Sequence, residues 1–265
     1  MINPLRAPDT EIRWTRRRFL GASLGGLLLP SLVACRSLDE PTSAPFGSPR
    51  LEARPGAPTQ SPTLGRSDLD LEGGRDGFLY IPESLDTSAA VPLMMILHGA
   101  TGSSTGWEAM IPRADADGFV LMVPESRDVT WDAIRTTFDR DVDYIDRALA
   151  KTFAQVSIDP MRSAIAGFSD GASYGLSLGV ANGDLFSHIV GWSPGFMVPT
   201  QRVGKPPVFI SHGTTDGILP VGQSRDRIVP SLRGSDYDVT YVEFAGGHTI
   251  PGEIIDQTLD WFLSA

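Results

Sequence analysis

Residues 161–182, Met-Arg-Ser-Ala-Ile-Ala-Gly-Phe-Ser-Asp-Gly-Ala-Ser-Tyr-Gly-Leu-Ser-Leu-Gly-Val-Ala-Asn, constrain the fold more than any other stretch of the chain. A short apolar run, Ala164 to Ala166, enters Gly167-Phe168-Ser169-Asp170-Gly171 and leaves into a segment with helical spacing. This pattern predicts a strand, a sharp turn and a helix in immediate succession. Glycines flank the central serine because a Cβ at either position would collide with the backbone packed around so tight a turn. They continue at intervals of four, through Gly175 and Gly179, as a smooth stripe that lets the helix lie close on a sheet.

In such a turn the serine is strained and its hydroxyl exposed, which is what a nucleophile requires. The spacing alone does not select one serine, because Gly-x-Ser-x-Gly occurs six times, centred on Ser23, Ser104, Ser169, Ser173, Ser177 and Ser193. Ser23 lies in an export signal, Ser104 lies inside a loop, and Ser173 and Ser177 fall within the helix. Ser193 also follows an apolar run, His188 to Trp192, but Pro194 comes next and has no N–H to donate to an oxyanion. Ser169 is followed by Asp170, which has one, and is the candidate nucleophile.

From about residue 70, strands and helices alternate. Strands are expected near 78–81, 92–97, 119–123, 162–166, 188–192, 207–211 and 239–244. Helical spacing is clearest in Phe138, Val142, Ile145, Leu149 and Phe153. Further helices are expected through 105–116, 170–181, 222–232 and 252–263. Alternation of this kind implies an α/β fold with a mainly parallel sheet covered on both faces, whose site gathers at the carboxyl ends of the strands. Three polar loops fall just past predicted strands: His98-Gly99-Ala100-Thr101-Gly102, His212-Gly213-Thr214-Thr215-Asp216 and Gly246-Gly247-His248.

With Ser169 these loops give the order oxyanion loop, serine, acid, histidine. On Leu97-His98-Gly99, Gly167-Phe168-Ser169-Asp170-Gly171, His212-Gly213 with Asp216, and Gly247-His248, residues 75–265 resemble the α/β-hydrolase superfamily. More narrowly they resemble its compact phospholipase/carboxylesterase and polyester-depolymerase-like serine esterases. The resemblance implies a Ser169, His248, Asp216 triad acting on carboxylic esters through an acyl-enzyme. Chemistry points the same way: a serine needs a base near neutral pH, and of the four histidines only His248 follows the last strand, with His212 the alternative. Asp216 would hold the imidazole tautomer, its competing role being that of a turn carboxylate. The oxyanion would be held by the N–H of Asp170 and, by resemblance, of Ala100, with Thr101 the alternative donor. Asp170 departs from the small or amide residue common beside the nucleophile in this superfamily.

Residues 71–265 are close to the minimum for this fold, which leaves no insertion for a lid and predicts an open groove for small-molecule or polymeric esters. Trp131 and Trp107 are its expected apolar walls, with Phe196, Ile218 and Ile250 as further candidates. No metal is implied: Asp139-Arg140-Asp141-Val142-Asp143 begins like a calcium loop, but Tyr144 and Ala150 occupy the glycine and glutamate positions. That segment is expected to be a solvated helix start. No dinucleotide fingerprint is present, so no cofactor is expected. Acyl transfer or peptide cleavage would use the same residues, and a hydrolase-fold lipoprotein that only binds a ligand or partner is the alternative from another class. The oligomeric state is not legible.

The front of the chain has a different composition. Residues 15–20, Thr-Arg-Arg-Arg-Phe-Leu, and the apolar run that follows resemble a twin-arginine export signal. The run is interrupted by Gly25, Gly26 and Pro30 and is shorter than the ~20 residues a membrane span needs. Leu32-Val33-Ala34-Cys35 looks like the lipobox of bacterial lipoproteins. The resemblance implies a signal peptide over residues 1–34, lipidation of Cys35 and a cell-envelope location; cleavage beyond Cys35 is the alternative. Cys35 is the only cysteine, so no internal disulfide forms. Residues 35–70, with Pro41, Pro45, Pro49, Pro55, Pro58 and Pro62, are expected to be a disordered linker to a catalytic domain over 71–265. The net charge is −10, and residues 1–34 contribute +3, so the remainder carries −13. That charge disfavours nucleic acid and anionic lipid as partners.

Overall fold

The computed structural model describes residues 47–198 and 200–264. Among them, eight strands form one sheet: β1 (Gly65–Asp68), β2 (Gly77–Ile81), β3 (Val91–Leu97), β4 (Val120–Pro124), β5 (Ile158–Phe168), β6 (His188–Trp192), β7 (Val208–Gly213) and β8 (Val239–Phe244). Their spatial order is β1-β2-β4-β3-β5-β6-β7-β8. β2 pairs antiparallel with β1 and β4, and all pairings from β4 through β8 are parallel.

The helices are α1 (Ile111–Asp117), α2 (Asp132–Arg135), α3 (Arg140–Gln155), α4 (Asp170–Ala181), α5 (Val229–Arg233) and α6 (Gly252–Leu263). β3 is buried along its whole length, with Leu93, Met95 and Leu97 in one apolar cluster and Met94 and Ile96 in the other. The first cluster holds the buried residues of α3, α4 and α5, and the second those of α1 and α6, so both sheet faces are covered. This explains why the central strands read as continuous apolar runs rather than alternating ones. The glycine stripe of α4 works as expected: a methyl at Gly179 would lie 2.8 Å from the Ile189 side chain on β6.

Two expected helices divide at a proline. A 3₁₀ segment, Ser104–Met110, precedes α1 with Pro112 in its first turn, and a π-helical turn, Ser224–Ile228, precedes α5 with Pro230 in its first turn. Proline has no N–H for the preceding turn, so the regular helix starts there. The short elements β1 and α2 carry too little periodicity to be read from sequence.

The larger difference lies in residues 47–70. Expected as linker, they are a strap laid on the domain. Leu51 and Leu69 are fully buried in the first cluster. The backbone N–H of Leu51 donates to Asn182 Oδ1 at 2.9 Å, those of Glu52 and Ala53 to Asp146 Oδ1, and that of Thr63 to Gln155 Oε1 at 3.0 Å. Arg50 and Arg54 both pair with Asp184, which holds that carboxyl below its usual range. Before β1 the strap is irregular, because its backbone N–H groups are satisfied by side chains of the domain and by the Ala154 carbonyl rather than by secondary structure of its own. The proposed signal, Cys35 and the rest of the expected linker lie outside the described residues.

Candidate active site

The turn between β5 and α4 has the predicted strain. Ser169 sits at φ 58° and ψ −121°, and its N–H donates to the Trp192 carbonyl at 2.9 Å. A Cβ on Gly167 would lie 2.2 Å from the Gly171 carbonyl, and one on Gly171 would lie 2.3 Å from that of Leu97. Only hydrogen fits at these positions. The serine therefore stands at the N-terminus of α4, where unpaired N–H groups and the helix dipole favour negative charge.

The loops after β7 and β8 bring the other two predicted residues to it. His248 Nε2 lies 2.8 Å from Ser169 Oγ, and His248 Nδ1–H donates to Asp216 Oδ2 at 2.7 Å. The two loops are joined: Thr214 N–H donates to Phe244 O and Thr215 N–H to Gly246 O, both at 2.9 Å. Gly213 permits the approach, since its Cβ would lie 2.3 Å from the Gly247 carbonyl.

Burial alone would raise the Asp216 pKa, but the His248 bond and the N–H groups of Leu219 and Ile218 on Oδ1 outweigh it. The carboxyl is held below its ordinary range. His212 is not beside Ser169. Its fully buried ring bonds the Leu219 carbonyl at 2.7 Å and Ser224 Oγ at 2.8 Å, with Nε2 3.3 Å from Asp216 Oδ2. It braces the acid's loop.

Among the described residues, the other candidate serines are held away from this arrangement, three by side-chain partners and Ser193 by burial without one. Ser173 and Ser177 accept N–H groups from the loop after β6, Ser104 donates to Glu125 at 2.8 Å, and Ser193 is wholly buried.

The loop after β3 passes directly over the turn, so that a Cβ on Gly99 would lie 3.2 Å from that of Ser169. Thr101 N–H donates to the Val129 carbonyl at 2.6 Å, which removes it as an oxyanion donor. Among the described residues, the N–H groups of Ala100 and Asp170 have no acceptor.

Residues of the β4–α2 connection and of the β1–β2 turn hold this loop. His98 Nδ1–H donates to Gly99 O at 2.7 Å, and its Nε2 accepts from Ser126 N–H at 3.0 Å; burial lowers its pKa. Ser104 N–H and Oγ–H donate to Glu125, while Arg75 donates to the Gly102 and Ser126 carbonyls. Thr130 Oγ–H donates to Asp170 Oδ2 at 2.7 Å. Sequence reasoning missed Arg75, Glu125 and Thr130. The signal for Glu125 was available, since Glu125-Ser126-Arg127 is also a polar cluster just past a strand.

The predicted walls separate. Trp107 lines an open groove of ≈480 Å³ beside His248, with Met110, Phe168, Ile250 and Ile255, and stacks on Trp192 at 5.6 Å. Trp131 is no wall. It is fully buried, donates its indole N–H to the His98 carbonyl at 2.8 Å and stacks on Tyr174 at 5.3 Å. The connection after β4 turns inward and places the indole beneath the loop after β3. Phe196 and Ile218 are exposed but do not line this groove. Asp141, expected on a solvated helix start, is buried, accepts the N–H groups of Arg127 and Asp132, and has its pKa raised to about 6 by burial.

No family model matches the chain. It is similar to a probable feruloyl esterase C of Aspergillus clavatus, 23% identical over 232 residues that cover 74% of this chain and 84% of that protein. Among solved structures it is similar to an α/β-hydrolase enzyme, MGS-M1, from a Medee basin deep-sea metagenome library, with a TM-score of 0.61 and 18% identity, covering 78% of this chain and 100% of that one. It is also similar to esterase PE8, with a TM-score of 0.59 and 21% identity, covering 71% and 98%. A phospholipase/carboxylesterase from Dyadobacter fermentans gives a TM-score of 0.56 and 20% identity, covering 77% and 98%. A mainly parallel eight-stranded sheet with helices on both faces, together with the likeness to these structures, gives the chain the α/β-hydrolase fold.

Proposed function

We propose that the chain is a serine carboxylester hydrolase working through an acyl-enzyme. The observation that carries this reading is the continuous line from Asp216 through His248 to Ser169, ending at a strained serine beneath two unpaired N–H groups. Ser169 Oγ attacks the ester carbonyl as His248 Nε2 takes its proton, and Asp216 stabilises the imidazolium. The carbonyl oxygen, now an anion, accepts from the N–H groups of Ala100 and Asp170; losing one such donor costs about 3 kcal/mol in the barrier. His248 then passes its proton to the departing alkoxide. Water, deprotonated by the same nitrogen, releases the acid and restores the serine.

The substrates we propose are esters with an accessible acyl or aryl group, small or polymeric. Trp107 and Ile250 in an open groove support this, as does the likeness to a protein described as a probable feruloyl esterase. We further propose export through the twin-arginine signal and tethering at Cys35, on the strength of those sequence features alone.

The test is kcat/KM for aryl esters of increasing acyl length, with Ser169→Ala as the blank. Hydrolysis by the parent and its loss in Ser169→Ala and His248→Ala, both folded, is expected. Turnover retained in either variant would overturn the assignment.

A further inference from the structure

We infer that Thr130 is a positioning residue for the oxyanion hole, linking the loop that carries the Ala100 donor to the residue that carries the Asp170 donor. The inference rests on the hydrolase reading of Ser169.

Three consecutive residues make three contacts around the site. Val129 accepts the N–H of Thr101, the residue after Ala100, at 2.6 Å. Trp131 donates to the carbonyl of His98, two residues before Ala100, at 2.8 Å. Thr130, between them and 5% exposed, donates its hydroxyl to Asp170 Oδ2 at 2.7 Å. The Val129 and Trp131 contacts fix the oxyanion loop on either side of Ala100. The Thr130 contact reaches the first residue of α4, next to the nucleophile. One tripeptide thus spans both donors, and the Thr130 hydroxyl is its bond to the Asp170 side chain.

Two physical consequences follow. Oxyanion donors act through their preset positions, so a tie between the two elements that carry them keeps their separation fixed before the charge develops. The Asp170 carboxylate lies beside a centre that becomes negative, where a freely rotating anion would raise the barrier. A short bond to a buried hydroxyl, strengthened by the charge on its acceptor, restricts that rotation. This accounts for how an aspartate is accommodated beside the nucleophile.

The experiment measures kcat and KM for one aryl ester, and Ki for a trifluoromethyl ketone that forms a tetrahedral adduct with serine. The proteins are the full chain and its Thr130→Val, Thr130→Ser, Asp170→Ala and Thr130→Val/Asp170→Ala variants, with thermal unfolding recorded for each. Thr130→Val is expected to lower kcat about tenfold or more with KM little changed, as for a group that acts only in the transition state. It is expected to weaken the ketone by a similar factor. Thr130→Ser, which keeps the hydroxyl, is expected to restore most of kcat. Adding Thr130→Val to Asp170→Ala is expected to cost little more, because the bond is already gone.

Full kcat in a folded Thr130→Val, equal losses for the ester's KM and the ketone, or multiplying effects in the double variant would each overturn the inference while leaving Ser169 as nucleophile. A folded parent with no turnover that a serine-directed phosphonate does not label would overturn both.

Discussion

The indole of Trp131 donates its one N–H to the His98 carbonyl in a site without solvent exposure. Trp131→Phe would leave that buried carbonyl unpaired, a cost of about 1–3 kcal/mol. Urea unfolding is expected to show it, and an unchanged midpoint would contradict it. Trp107→Ala is expected to act on substrate instead. Removing an aromatic face worth about 0.5–1.5 kcal/mol should raise KM for aryl-acyl esters roughly 2- to 10-fold and leave short alkyl esters nearly unaffected; equal changes for both would show that the indole does not touch the ring. The two tryptophans mark the limit of sequence reading at this scale. The meeting of Ser169, Asp216 and His248 was legible because each lies within four residues of a strand end, and strand ends fix where a residue sits. A loop side chain's direction depends on what the loop packs against, so Trp131 was misplaced. Thr130 and Arg75 were invisible because their partners are distant in sequence.

At the scale of elements, the strap over residues 47–70 carries the prediction. Leu51 is fully buried and its N–H is bonded to Asn182, so Leu51→Ala is expected to cost about 2–4 kcal/mol of stability. A linker residue would change it by less than about 0.5 kcal/mol, which equilibrium unfolding separates easily. The regular elements were legible because periodicity reports them directly: α4 and α6 fall on the expected residues. The strap was not, because its apolar residues are few and its backbone N–H groups are bound by side chains of α3 and by Asn182. Composition rich in proline indicated its extended backbone but not its attachment.

At the scale of the whole molecule, stability is coupled to pH through Asp141. Burial raises its pKa to about 6 from 3.8, so the folded protein keeps a proton that the unfolded chain loses. Its contribution is therefore complete below about pH 4 and lost as pH rises through about 6, at most about 3 kcal/mol. Relative to wild type, Asp141→Asn is expected to gain stability progressively from pH 4 to 6 and to run parallel above about 7; parallel curves throughout would show that the carboxyl titrates normally. Under the proposed tethering at Cys35, Cys35→Ser is expected to move the protein from the membrane to the soluble fraction, and a variant still sedimenting with membranes would contradict lipidation. The central claim, that this fold presents Ser169 as an activated nucleophile, is tested most directly by intact-mass and peptide analysis after exposure to a serine-directed phosphonate. One adduct is expected, on Ser169, in the parent and none in Ser169→Ala, with labelling strongly slowed in His248→Ala. A folded parent that remains unmodified, or an adduct on another serine, would contradict it.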